Sequence, residues 1–156
     1  MENNEIDTAW IAAESSPTYR DGLLKEETYQ IIGICMDVHR TLGHGFLEIV
    51  YKDAIEKELQ WKNISYEREK KYAIDYKGVI LSHSYYADFV VNGNIILEVK
   101  AQEAVPESYY SRLINYLAVS KLEIALLVNF AESSLKYKRF IFTPKVIGET
   151  NTKSRS

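Results

Sequence analysis

Apolar residues in the first third of the chain recur at a helical period. Ile31, Cys35, Val38 and Leu42 line one face of a helix that starts near Leu24 and stops at Gly43. A Gly-His-Gly turn at 43–45 leads into FLEIVYKDAIEKELQWKN, where Leu47, Val50, Tyr51, Ala54, Ile55 and Leu59 keep the same spacing up to Asn63. This predicts a second helix with Glu48 in its first turn. The period then falls to two. ISYEREKKYAIDYKG alternates Tyr66, Arg68, Lys70, Tyr72, Ile74 and Tyr76 against Glu67, Glu69, Lys71, Ala73 and Asp75, and Lys77-Gly78 forms a turn. VILSHSYYADFVV and NIILEVK follow as strands joined around Asn92-Gly93, the strongest hairpin signal in the chain. Pro106 opens a third helix, ESYYSRLINYLAVS, LEIALLVNF is an apolar run expected to be a buried strand, and LKYKRFIF alternates as a last one. The order is ααβββαββ, an α/β sheet domain.

Residues 1–22 carry Ser-Ser-Pro and no sustained period, so they read as a flexible N-terminal arm whose Trp10 and Ile11 can still dock. Residues 23–143 form one domain, and 144–156 read as a disordered polar tail. With 156 residues, 46% hydrophobic and 26% charged, the chain is long enough for a real core. A net charge of −3 supplies no global basic field, so a polyanion would need a local patch or a bound metal. Cys35, the single cysteine, reads as a small buried hydrophobe. No apolar stretch approaches a membrane span and the N-terminus is acidic, so the expectation is a soluble, cytoplasmic protein.

ADFVVNGNIILEVKA, residues 87–101, places Asp88, Glu98 and Lys100 in an otherwise apolar hairpin, where unpaired charge is costly. Glu98 and Lys100 share a strand face. A plain two-residue loop at Asn92-Gly93 would set Asp88 opposite Leu97, on the wrong face, whereas one extra residue, Asn94 or a bulge, sets it opposite Glu98. Site chemistry therefore predicts an irregular hairpin. Two carboxylates supply hard oxygen ligands for Mg²⁺ or Mn²⁺, and the lysine supplies a cation for water or for charge on a phosphoryl group, a set suited to phosphodiester hydrolysis. The alternative is a partly buried ion pair of Lys100 with Asp88 or Glu98.

GFLEIVY at 45–51, preceded by VHRTLGHG and followed by the D…E-x-K hairpin, by INYL, by LLVNF and by KRFIF, resembles the GxxExxY family of the PD-(D/E)XK nuclease superfamily over roughly residues 25–143. The resemblance implies a restriction-endonuclease-like core, a mixed central sheet of about five strands flanked by helices. It implies Asp88, Glu98 and Glu48 as metal ligands, with Lys100 completing the catalytic set. Tyr51, one turn after Glu48, either orients it or packs in the core. His39 matches a family histidine and either faces the site edge or caps its helix. His44 stands where the family often has proline, and His83 has no partner suggested by the pattern. Where many members carry a glutamine, four residues before the tyrosine of the Tyr-Leu pair, this chain has Arg112, which can contact phosphate or mark an altered activity.

Arg68, Lys70 and Lys71, with Arg112 and interleaved tyrosines, are the expected nucleic-acid contacts, Lys77 extends that face, and Lys136, Lys138 and Arg139 form a second basic cluster. Two functions follow: a metal-dependent nuclease with DNA favoured over RNA, or a non-catalytic nucleic-acid-binding or protein-interaction module on the same fold.

Overall fold

The computed structural model describes residues 24–142; the N-terminal arm and the polar tail lie outside the described residues. Its elements are α1 (Lys25–Leu42), α2 (Glu48–Trp61), β1 (Tyr66–Tyr76), β2 (Val79–Val91), β3 (Ile95–Lys100), α3 (Glu107–Ser120), β4 (Ile124–Asn129) and β5 (Lys136–Ile141). Among the described residues no helix is long and apolar enough to cross a membrane.

The five strands form one mixed sheet in the order β1-β2-β3-β4-β5, with β3 and β4 parallel and the other neighbours antiparallel. Parallel pairing needs a crossover, which α3 supplies. The sheet is covered on both sides, so β3 and β4 read as continuous apolar runs rather than alternations. Ile95, Leu97, Val99, Ile124, Leu126 and Val128 pack under α1 and α2, while Ile96, Ala125 and Leu127 pack under Leu113, Ile114 and Leu117 of α3. Cys35 lies wholly inside the first layer, and burial pushes its thiol up to about 12, which removes it from thiolate chemistry.

Both hairpins carry glycine turns, but they differ by one residue. Lys77 and Gly78 have positive φ and join the paired Tyr76 and Val79, a plain two-residue loop closed by the Gly78 N–H on the Asp75 carboxylate, 2.8 Å. Asn92 and Gly93 also have positive φ, and the Asn94 N–H returns to the Val91 carbonyl at 3.1 Å. Here, however, Val91 pairs with Ile95, which leaves Asn94 as the extra residue. The hairpin is irregular, with the extra residue at Asn94.

Between α1 and α2 the chain turns at Gly43, whose φ of 69° suits a residue without a side chain. The turn is held from below. Tyr51, fully buried, stacks on Phe130 at 4.3 Å, donates its hydroxyl hydrogen to the Gly43 carbonyl at 2.7 Å and accepts the Phe46 N–H at 3.2 Å. Tyr51 thus sets where α2 begins, and Glu48 is its first residue. Replacing Tyr51 by Phe keeps the ring but leaves a buried carbonyl and N–H without that partner. The expected loss is about 1–3 kcal/mol of stability, measured by urea denaturation.

Candidate active site

The ladder between β2 and β3 holds for three pairs, Val91–Ile95, Val90–Ile96 and Phe89–Leu97, and then gives way to side chains. At the next position the Asp88 N–H goes to Glu98 Oε1 at 3.3 Å, and the Val99 N–H goes to Asp88 Oδ2 at 2.8 Å. The two acids take over backbone donors that strand pairing has released, which keeps those donors satisfied where the strands part. The change runs deeper than one pair. Phe89 and Val91 pack with α1 and α2, whereas Tyr85 and Ala87 pack with α3, so β2 exchanges its faces at Asp88. In β1 the same exchange separates Tyr66 from Tyr72 at Glu69, a non-glycine residue with φ of 52°. The single basic-aromatic face expected of β1 is therefore divided between the two sides of the sheet.

Glu98 is 3% exposed. Its Oε1 accepts the Tyr85 hydroxyl at 2.5 Å and its Oε2 the Tyr109 hydroxyl at 3.0 Å. Burial pushes both phenols far above their usual range, so they remain proton donors. Burial, and then the neighbouring Asp88 carboxylate, push Glu98 up to about 8, against the two tyrosine hydrogen bonds that favour its charged form. Asp88 carries a partner that the sequence did not point to: Lys52 of α2, 6% exposed, whose Nζ lies 2.8 Å from Asp88 Oδ1 and also pairs with Glu69. Burial alone would lower Lys52, but its hydrogen bonds to Asp88 and Glu69 outweigh it and hold the ammonium charged.

Lys100 does not neutralise either acid of its own motif. Its Nζ stands 3.8 Å from Glu48 Oε1 and 4.6 Å from the centre of the Tyr109 ring. Desolvation raises Glu48, Lys100 opposes that, and the charge of Asp88 adds to it. Glu48 and Lys100 are the more open part of the group, with side chains 40% and 21% exposed against 13% for Asp88. Arg112, exposed on α3, lies over the same Tyr109 ring at 5.8 Å.

The supporting residues divide. Tyr51 bonds the Gly43 turn rather than Glu48, and so positions the start of the helix. His39 stacks near Phe130 at 5.9 Å and its Nε2 meets the Glu132 carbonyl at 2.8 Å, a packing role on the α1 side. Arg68 spends its guanidinium on Asp53 and Glu56, at 2.8 and 3.2 Å, and Lys70 pairs with Glu67. Lys71 is exposed. The partners missed by sequence reasoning are Lys52, Glu69, Tyr85 and Tyr109; the only signal for Lys52 was its place four residues after Glu48, the spacing of one helix face.

Among the described residues no three His, Cys, Asp or Glu side chains stand gathered as a ready metal cage. Asp88 and Glu98 still fit a divalent ion of the Mg²⁺ type, which is commonly held by one or two carboxylates with water filling the remaining positions. Their mutual repulsion is the term such a charge would relieve.

A mixed sheet with helices on both faces, opening at an acid pair with a lysine two residues on, is the restriction-endonuclease-like arrangement. The family model of the PD-(D/E)XK nuclease superfamily matches residues 25–140, and the chain belongs to that superfamily. Comparison with curated proteins and with solved structures finds no match.

The state of Glu98 has a pH consequence. Folded, it holds its proton to about pH 8; the ordinary value is 4.5. Across that window the native state binds more protons than the unfolded one, so stability falls as pH rises from 4.5 to 8. Glu98→Gln removes the ionisation, and its Tm is expected to exceed that of the wild type by several degrees at pH 8 without divalent ions. The difference should vanish near pH 4, as followed by thermal melts across the range.

Proposed function

We propose that the protein is a metal-dependent nuclease of the GxxExxY type that hydrolyses phosphodiester bonds. Nucleases of the superfamily act on nucleic acid and typically use divalent metal ions. The observation that carries the reading is the pairing of Lys100 with Glu48 instead of with Asp88 or Glu98. An ion-pair network built only for stability would be expected to set the lysine on its own motif's acids. Here it leaves Glu98 with tyrosine hydroxyls and a neighbouring carboxylate.

In this reading Asp88 and Glu98 hold Mg²⁺ or Mn²⁺, with Glu48 at the open side acting directly or through water. A bound divalent ion supplies Lewis-acid polarisation of a phosphoryl oxygen and lowers the pKa of a coordinated water. Tyr85 and Tyr109 fix the Glu98 carboxylate, Lys52 fixes that of Asp88, and Lys100 orients water or stabilises charge on the pentacoordinate phosphorus. Arg112, which lies against the same Tyr109 ring as Lys100, is suited to a backbone phosphate. Lys71 is a further phosphate contact, with Arg68 and Lys70 available where their ion pairs open. DNA is the preferred substrate.

The second reading, a module that binds nucleic acid or a protein partner without cutting, is favoured by Arg112 in place of the family glutamine and by Lys52 already neutralising Asp88. Purified protein and Lys100→Ala, incubated with single- and double-stranded DNA and RNA in Mg²⁺ or Mn²⁺, separate the two. Cleavage by the wild type, reduced on the order of 100-fold or more in the variant, is expected. Equal products from both proteins would assign the cutting to a contaminant. Metal-dependent thermal stabilisation should be lost in Asp88→Ala, which tests binding independently of substrate.

A further inference from the structure

The carboxylates near the fork form a row across three strands. Glu69 lies between Arg68 and Lys70, whose partners in β2 are Phe89 and Ala87, so it stands across from Asp88; Asp88 precedes Phe89, whose partner is Leu97, and stands across from Glu98. Between the first two sits Lys52, buried, with its Nζ on both carboxylates. Glu69 reaches it from a left-handed backbone conformation that a glutamate rarely adopts. Two independent oddities, a buried lysine and a strained glutamate, thus serve one contact.

We infer that the Lys52 ammonium is a built-in cation occupying the Glu69–Asp88 half of this row, so that the site accepts one divalent ion and not two. The inference rests on the metal-dependent reading above and assigns its stoichiometry. An ammonium held by carboxylate oxygens satisfies the same hard-oxygen donors that would otherwise call for a second metal. Asp88 has Oδ1 on Lys52 and Oδ2 on the Val99 N–H; each oxygen keeps one lone pair, and the one on Oδ1 adjoins the Lys52 charge, which leaves Oδ2 as the oxygen for a single ion. A second ion on the Glu69 side would have to displace Lys52 or face its charge at contact distance. The charge count agrees. With Glu98 ionised, as a bound ion would require, four carboxylates (Glu48, Glu69, Asp88 and Glu98) face two ammonium groups (Lys52 and Lys100), and the formal excess of −2 is what one divalent ion neutralises.

Lys52 is in this account a positioning residue: it holds Asp88 and sets the number of metals. Calorimetric titration of the full chain with Mn²⁺, with bound ion counted by electron paramagnetic resonance, should give one Mn²⁺ per chain. Lys52→Glu, which exchanges the fixed cation for a fourth acid at the row, should give two. Lys52→Gln should melt lower than the wild type in chelator and gain at least twice the wild-type rise in Tm on adding Mn²⁺. Two ions in the wild type, or one in a folded Lys52→Glu, would overturn the inference. Should Lys52→Glu fail to fold, the wild-type count and the Lys52→Gln melts still decide. Absence of any bound Mn²⁺ would remove the metal-dependent reading together with this one, whereas one ion without cleavage would leave the stoichiometry standing and sink only the nuclease.

Discussion

The crossed pair of backbone-to-carboxylate hydrogen bonds, Asp88 N–H to Glu98 and Val99 N–H to Asp88, is the contact around which this molecule is organised. Two strands that part in the middle of a sheet would strand buried N–H groups, each costing about 1–3 kcal/mol if left unmet. The Asp88 and Glu98 carboxylates meet those groups from the side, at 2.8 and 3.3 Å, so the opening of the sheet and the placing of the acids are one event. Because β2 changes faces at that point, Asp88 is directed toward Lys52 of α2 while Glu98 is directed toward Tyr109 of α3. The acid pair belongs to both layers of the fold, and a change in either layer is felt there.

Aromatic rings fix the two sides. On the α3 side Tyr85 lies between Tyr72, at 5.9 Å, and Tyr116, at 3.6 Å, and this stack holds the hydroxyl that Glu98 accepts. Tyr109 adds the second hydroxyl and offers its ring to Lys100 and Arg112. On the other side Phe130 carries Tyr51 and His39, and through Tyr51 the turn that launches Glu48. Rings have few rotamers and large contact areas, so they position polar atoms at little entropic cost. The polar site is rigid because what surrounds it is aromatic.

The eight elements and their order were legible from periodicity, whereas the irregular hairpin, through Asn94 or a bulge, was expected only from the chemistry of its acids, because a one-residue shift of register moves Asp88 to the other face. Glu48 entered through GFLEIVY and its resemblance; spacing alone put it merely in a first helical turn. Lys52 was not legible. It sits beside Tyr51 on an amphipathic helix, where lysine ordinarily reaches solvent, and only the tertiary approach of β1 and β2 makes it a buried partner. The division of β1 was hidden for a related reason: alternation assumes an unbroken strand, and a glutamate gives no warning of left-handed geometry as a glycine would. Tyr85 and Tyr109 were two among the 12 tyrosines of the chain, and their role depends on burial that composition does not express.

A protein that keeps Glu98 buried against a second carboxylate accepts a standing instability. Solvent exposure or replacement by an apolar residue would remove it, and Tyr85 and Tyr109 offset only part of it by donating to the charged form. Such strain persists where something else recovers it. Lys52 compensates one end of the row permanently, so Asp88 cannot be what the remaining imbalance waits on. The imbalance is concentrated on Glu98 and opens outward through Glu48 and Lys100, both more exposed than Asp88. On the proposed reading, binding free energy released there by a cation would be spent first on ionising Glu98, which would make occupancy of the site and full charge on Glu98 a single linked step. On the proposed metal-dependent reading, folding and function would oppose each other at this carboxylate, and the asymmetry introduced by Lys52 would decide on which side of the sheet that opposition is resolved.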